Sequence, residues 1–263
     1  MTRAAVLEAG QGDTAVLLLH GIGGAAAMWA EAGSGTVQAL ADAGFHALAL
    51  DFPGYGAATD AGPPTMERMV AAVAELIMSL SASRVVLVGH SMGGMVAQEL
   101  VARAGANVHG LVLSCTSAAF GKSDGDWQAR FVAERLAPLD AGLGMPGMAA
   151  KLVPGLVAPQ ATQRARESAL AVMARVPEAS YRVALAAIAA FDRRSALAHI
   201  KLPTLMLAGE LDGTAPPAVM QRMAQQVAGS EYVCLPGVGH IANVEAPAAF
   251  NAALLDFLRC RFS

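Results

Sequence analysis

Cysteine is scarce in this 263-residue chain: Cys115, Cys234 and Cys260 stand far apart and form no Cys-x-x-Cys pair. That leaves little for a disulfide framework or a structural zinc site, and reduced thiols in a cytoplasmic protein are the expectation. Charge is scarce as well. Charged residues make up 15% of the chain, 18 basic against 21 acidic, without a block of one sign. A nucleic-acid footprint is therefore not expected. Long apolar runs are missing: stretches such as 183–191 fall far short of the ~20 residues a bilayer requires, so no membrane partner is expected. The opening MTRAAVLEAGQGD has neither the apolar core nor the small-residue cleavage site of a signal peptide.

What the chain does have is apolar residues, 55% of the total, many of them alanine. This excludes disorder, favours helices and suits a sizeable core. Between residues 14 and 117, short leucine-rich or β-branched runs at 15–20, 45–52, 85–89 and 108–114 read as strands buried on both faces. Helix-like stretches at 36–43, 66–80 and 92–103 separate them, the pattern of a parallel sheet with right-handed crossovers. From 120 to 199 the strand signal disappears into Ala-, Met-, Arg-, Gly- and Pro-rich helical sequence. Alternation then resumes, with strands at 204–209 and 231–235 and helices at 217–227 and 247–259. The expected organisation is an α/β core of residues 1–119 and 200–263, with a helical lid inserted at 120–199. A lid at that point would cover the carboxyl edge of the sheet, where open α/β sheets bind ligands.

The strongest chemical signal is Gly89-His90-Ser91-Met92-Gly93, which follows the run Val85-Val86-Leu87-Val88. This is G-x-S-x-G between a strand and a helix, a sharp turn that lifts a serine hydroxyl above the sheet edge. A serine alone is a weak nucleophile, so a base and an orienting acid must follow. In this arrangement they come in the order Ser, Asp or Glu, His. Asp212 stands just past the strand at 204–209, and His240 just past the one at 231–235. Glu210 is the main rival acid, because Asp51 comes too early in the chain. His46 lies inside a strand, His109 opens one, and His199 lies at the insertion boundary. His20 and His90 are better read as shaping turns.

An oxyanion needs two backbone N–H donors, one just after the nucleophile and one from the loop after an early strand. Met92 supplies the first. In His20-Gly21-Ile22-Gly23-Gly24 the second falls to Ile22, with Gly23 as alternative, and Gly21 and Gly23 let the backbone approach a substrate. The same loop fits the G-x-G-x-x-A dinucleotide fingerprint, with Asp51 as its acid. Against that reading, Asp51 lies 30 residues beyond Gly21 rather than the usual ~20. Tyr55, Tyr181 and Tyr232 also lack a lysine four positions on.

Together HGIGG, DFPGYG, VVLVGHSMGGMVAQEL, PTLMLAGELD and LPGVGHIANVEAPAAFNAALLDFL resemble a serine-dependent α/β-hydrolase over essentially the full chain. The resemblance is closest to 3-oxoadipate enol-lactonases. It implies a Ser91–Asp212–His240 triad, no metal or organic cofactor, and a small ester or lactone as substrate. Other members of the group are carboxylesterases, perhydrolases and carbon–carbon bond hydrolases, and the same fold also serves non-catalytic ligand binders. The stretch Asp126-Trp127-Gln128-Ala129-Arg130 resembles a tryptophan-bearing lid segment, so Trp127 either lines the pocket or anchors the first lid helix. Where that family reads like AAIRDADLR, this chain has Ala189 in place of the basic residue. Lys122, Arg130, Arg135, Lys151, Arg182, Arg193 and Arg194 remain as lid cations, but helix-surface arginines are usually solvated. Neutral esters and lactones are therefore expected to be preferred over carboxylate-bearing ones.

Overall fold

The computed structural model describes residues 5–30, 33–103, 107–121 and 126–262. Seven strands form one sheet: β1 (Val6–Ala9), β2 (Thr14–Leu19), β3 (His46–Leu50), β4 (Arg84–His90), β5 (Gly110–Ser114), β6 (Thr204–Gly209) and β7 (Glu231–Leu235). Their spatial order is β1-β3-β2-β4-β5-β6-β7, and every pairing is parallel except β1 with β3. The antiparallel edge strand β1 was not expected. Its four residues, VLEA, are only partly buried and carry Glu8, too short and too polar a run to stand out.

The central strands are buried on both faces, so each alternate residue serves a different core. Leu17, Leu19 and Leu87 pack with Met69 and Val73 of α2 (Met66–Ser79) and Val96 of α3 (Met92–Val101). Their neighbours Val16, Leu18, Val86 and Val88 pack with Val37 and Leu40 of α1 (Thr36–Asp42). Phe250, Leu254 and Phe257 of α10 (Pro247–Phe262) complete that second core. The helix α8 (Pro217–Gln226) joins β6 to β7, and the short α9 (Ala242–Glu245) precedes α10. The chain steps outward from β2 to β3 and then returns past β2 to β4. The switch point of the sheet thus lies between the C-terminal ends of β2 and β4, where a crevice opens.

Four helices intervene between β5 and β6: α4 (Asp126–Asp140), α5 (Gly144–Leu156), α6 (Gln163–Met173) and α7 (Glu178–Ala189). The two ends of this block pair with each other through the bridge Ala119–Asp192, the bond from Phe120 N–H to Phe191 O, and that from Arg193 N–H to Ala118 O. A 3₁₀ stretch, Arg194–His199, then leads into β6. The block is seated on the sheet layer by polar contacts. Ser180 Oγ donates to Gly54 O at 2.7 Å, and Arg193 pairs with Glu99 of α3 at 2.6 Å. No helix among the described residues is long and apolar enough to cross a membrane.

Candidate active site

The turn from β4 into α3 closes only because two residues carry no side chain. A Cβ on Gly89 would lie 2.5 Å from Gly93 O, and one on Gly93 would lie 2.3 Å from Leu19 O. Ser91, between them, has φ 52° and ψ −116°, a backbone conformation that costs an L-residue about 1–3 kcal/mol. Its own backbone groups hold it there. Ser91 N–H donates to Ser114 O at 2.9 Å, and Thr116 Oγ1 donates to Ser91 O at 2.7 Å.

His240 reaches this serine from the loop after β7. Its Nε2 is 3.0 Å from Ser91 Oγ, and its Nδ1 is 2.8 Å from Asp212 Oδ2. Both side chains are buried, with Asp212 3% and His240 6% exposed. The second oxygen of Asp212, Oδ1, accepts the N–H groups of Thr214 at 2.8 Å and Ala215 at 2.9 Å, which fixes the carboxylate plane. Burial alone would raise the Asp212 carboxyl, but attraction to His240 and these hydrogen bonds hold it below the usual carboxylate range. Asp212 thus stays ionised and can orient the imidazole and balance its charge.

The rival residues have other work. Glu210 Oε2 accepts Gly237 N–H at 2.7 Å, at the exposed start of the His240 loop. Asp51 accepts Ala26 N–H at 2.7 Å and Ala57 N–H at 2.9 Å, tying two loops together. His20 Nδ1 donates to Gly21 O at 2.8 Å while its Nε2 accepts Phe52 N–H at 3.2 Å, a use of both nitrogens that requires the neutral ring. Burial, and then the neighbouring His240, push His90 down to about 3, so it carries no charge near neutral pH. His46 pairs with Glu8, and His109 Nδ1 accepts Val85 N–H.

Sequence reading missed Glu245. Its Oε2 accepts Ala158 N–H at 2.7 Å and Gly239 N–H at 3.0 Å, and its Oε1 accepts Ile241 N–H at 3.0 Å. One carboxylate therefore clamps the residues on both sides of His240 and binds them to the end of α5. His240 N–H adds a second link, donating to Leu156 O at 2.7 Å. Only the position of Glu245, five residues past the histidine and closing the short α9, could have hinted at this role.

A cavity of about 100 Å³ lies over Ser91. Ile22 and Gly23 are the central residues of a turn closed by Gly24 N–H to Gly21 O at 2.9 Å. Both line the cavity, as do Gly21 and Met92. The N–H groups of Ile22, Gly23 and Met92 take no partner among the described residues, so a substrate oxygen could accept from them. Gly21 lacks the Cβ that would press, at 3.2 Å, on Ser91 Cβ and the His90 ring. The helical block roofs the cavity with Phe131, Met173, Tyr181, Leu185 and Ile188, and with one cation, Arg135.

Trp127 was expected either to line the pocket or to anchor the first lid helix. It does not line the cavity formed by the described residues, and it is 38% exposed. It stacks on Phe131 at 5.3 Å and meets Phe120 at 5.8 Å, which places it one layer behind the wall. Position 189 is not on that wall either. Among the other lid cations, Arg182 pairs with Asp140 and Glu178, Arg193 with Glu99 and Arg194 with Asp192. Arg130 and Lys151 are exposed, and Lys122 lies outside the described residues. Among the described residues no group of three or more His, Cys, Asp or Glu could hold a metal ion.

Comparison with known proteins agrees with this architecture. A model of the alpha/beta hydrolase family matches residues 16–253. A Variovorax paradoxus protein named as a carbamate hydrolase is 35% identical, over 93% of this chain and 91% of its own length. A pimeloyl-[acyl-carrier protein] methyl ester esterase of Yersinia enterocolitica is 29% identical over 94% of each chain. The solved enol-lactonase of Burkholderia xenovorans superposes with a TM-score of 0.84 at 28% identity, covering 97% of this chain and 95% of that one. The chain belongs to the alpha/beta hydrolase family.

Proposed function

We propose that the protein hydrolyses a small carboxylic ester or lactone through an acyl-enzyme on Ser91. The observation that carries this reading is the hydrogen-bonded chain Ser91–His240–Asp212 at the floor of a mostly apolar cavity. His240 Nε2 takes the hydroxyl proton as Ser91 Oγ bonds to the carbonyl carbon. The carbonyl oxygen, now an oxyanion, accepts from Met92 N–H and from Ile22 or Gly23 N–H at the N-terminal end of α3, where the helix dipole also favours negative charge. Asp212 stabilises the imidazolium. The carbon–oxygen bond to the leaving group then breaks as His240 returns the proton to that oxygen. His240 next deprotonates a water, which attacks the acyl carbon, and Ser91 Oγ leaves with the proton. An ester yields an acid and an alcohol, and a lactone yields one hydroxy acid.

The likeness to the enol-lactonase and the methyl ester esterase supports this chemistry. The likeness to the protein named as a carbamate hydrolase favours a second reading, in which the same serine attacks a carbamate carbonyl. To test the mechanism, the protein is treated with a serine-directed phosphonate and assayed with p-nitrophenyl acetate. One phosphonate is expected to add, at Ser91, and Ser91→Ala should lower kcat by roughly 10⁴–10⁶. Labelling at another serine with activity kept in Ser91→Ala would refute the mechanism. Carbamate turnover exceeding that of matched esters would select the second reading.

A further inference from the structure

Two residues other than glycine have positive φ among the described residues, Ser91 at 52° and Cys115 at 45°. The first belongs to the elbow. The second is a buried cysteine just past β5, and its thiol takes no part in the mechanism. Backbone strain of this kind persists only where the surroundings enforce it, and here its effect falls on the next residue.

Cys115 N–H still donates to Leu207 O of β6 at 2.9 Å, but Thr116 N–H has left the sheet and meets Met220 Sδ of α8 at 3.4 Å. The kink at Cys115 thus turns the buried Thr116 back over the elbow. There its Oγ1 donates to Ser91 O at 2.7 Å. That bond is shorter than the two helical bonds the same carbonyl accepts, from Gly94 N–H at 2.9 Å and Met95 N–H at 3.2 Å. Gly94 makes the approach possible, because a Cβ there would lie 2.7 Å from Thr116 Cγ2 and 2.8 Å from its Oγ1. The second glycine of Gly93-Gly94 is therefore required by the threonine and not by the serine.

The contact reaches the oxyanion site through one peptide plane. In a trans peptide the C=O of one residue and the N–H of the next point in opposite directions and turn together. Ser91 O and Met92 N–H are such a pair. The helical bonds come from α3 itself and move with it, whereas Thr116 extends from the sheet. Its bond fixes the plane against the same sheet whose strands β6 and β7 lead to Asp212 and His240. A third donor on the carbonyl also polarises the peptide, which strengthens its N–H as a donor.

We propose that Thr116 is a positioning residue, whose hydroxyl, delivered by the strained Cys115, holds the Ser91–Met92 peptide so that Met92 N–H meets the oxyanion. This rests on the acyl-enzyme reading of Ser91 and goes beyond it by naming a side chain that acts through the backbone and not on the substrate.

Thr116→Val keeps the shape and removes the donor. Ser91 O retains its two helical partners, so the variant should fold, with a melting temperature within a few degrees of wild type. With p-nitrophenyl acetate, kcat is expected to fall roughly tenfold, less than the roughly 10²–10³ that loss of an oxyanion donor itself costs. KM should stay within about threefold, because acylation and deacylation both pass through the oxyanion. Phenylboronic acid forms a tetrahedral adduct on the serine that places an oxygen at the same donors, and its inhibition constant should rise by the same factor. Thr116→Ser should stay within about threefold of wild type. The pair Thr116→Ser and Thr116→Ala repeats the comparison without the methyl group and serves where valine disturbs the packing. A lower melting temperature with kcat unchanged would reduce Thr116 to a packing residue and overturn the proposal. So would a rise in KM with kcat kept, a boronate affinity indifferent to the hydroxyl, or a serine variant as slow as the one lacking the hydroxyl. Phosphonate labelling keeps the two readings apart. Ser91 labelled at the wild-type rate in Thr116→Val overturns the proposal alone, whereas label on another serine of the wild-type protein overturns the mechanism and the proposal with it.

Discussion

Ser91, Asp212 and His240 follow β4, β6 and β7 at one edge of a sheet whose central strands are buried along all but the first residue of β4. Phe131 and Arg135 face them from α4, a helix in which only Leu139 is fully buried. The floor of the cavity is thus fixed by backbone that cannot shift without opening two cores. The roof shares the first of these cores, through Met148, Val153, Met173, Tyr181 and Leu185, but its helix α4 lies at the margin of it. In the proposed mechanism, chemistry that needs atoms held within tenths of an ångström would sit on the floor, and selection among substrates would fall to the roof. Loops on a rigid sheet would carry the reaction, and the largely exposed α4 could change its wall residues at less cost to the fold.

The sharpest way to break this comparison is to damage the floor and find activity unharmed. Asp212→Asn is expected to lower kcat by roughly 10⁴, because the imidazole loses its tautomer and its counter-charge. Glu210→Gln should stay within about tenfold, since Glu210 only receives Gly237 N–H at an exposed position. Steady-state kinetics on p-nitrophenyl acetate decide the matter, and the reverse order would transfer the orienting role to Glu210.

Glu245 joins floor to roof and should show an intermediate effect. In Glu245→Gln an amide nitrogen would confront N–H donors that now meet a carboxylate oxygen, and the His240 loop should relax. Small displacements of a catalytic base cost rate heavily, so a fall in kcat of roughly 10–100-fold is expected, with KM changed by less than about threefold. A larger change in KM than in kcat would show that Glu245 serves the roof and not the histidine.

The floor was more legible in the sequence than the roof, for a physical reason. Strands buried on both faces appear as unbroken apolar runs, and an elbow that tolerates no Cβ at Gly89 or Gly93 must display both glycines. The triad follows from chain order once the elbow is seen. β1 escaped because an edge strand with a half-exposed face needs no such run. On α4 the spacing Trp127, Phe131, Arg135 marks one side of a helix, since each step is four residues. Which of the three enters the cavity depends on how α4 leans on α7 and the sheet, a tertiary matter absent from local pattern. The tryptophan drew notice by its type, yet the phenylalanine and arginine beyond it form the wall.

The tie between roof and floor can be weighed by stability. Glu99, 7% exposed, accepts from Arg103, two residues past the end of its own helix, and from Arg193 at the foot of the insertion. Burial would raise its carboxyl, but the bonds to the two arginines hold it below the usual carboxylate range. A depressed folded-state pKa means stability that is present above the unfolded-state pKa and lost as pH falls through the folded value. Glu99→Gln should therefore cost roughly 1.5–3 kcal/mol near neutral pH. The melting curves of variant and wild type should converge as pH falls below about 4. A gap that persists undiminished at pH 3 would remove charge from the tie.

The smallest effect is expected at Trp127, and it separates a wall residue from the residue behind it. Trp127 touches Phe120, Phe131 and the turn at Gly121, where an added Cβ would fall 2.0 Å from its ring. Removing it in Trp127→Ala deletes stacking worth about 1 kcal/mol but no surface that meets substrate. The expected result is a melting temperature lower by a few degrees and kcat/KM within about threefold of wild type, with Trp127→Phe restoring most of the stability. Phe131→Ala removes the wall itself and should raise KM by roughly tenfold for the preferred substrate, the loss of about one well-packed contact. The two variants are best compared on one ester series of increasing chain length. If Trp127→Ala changes KM as much as Phe131→Ala does, the indole enters the cavity when substrate is bound, and α4 must turn about its axis to admit it.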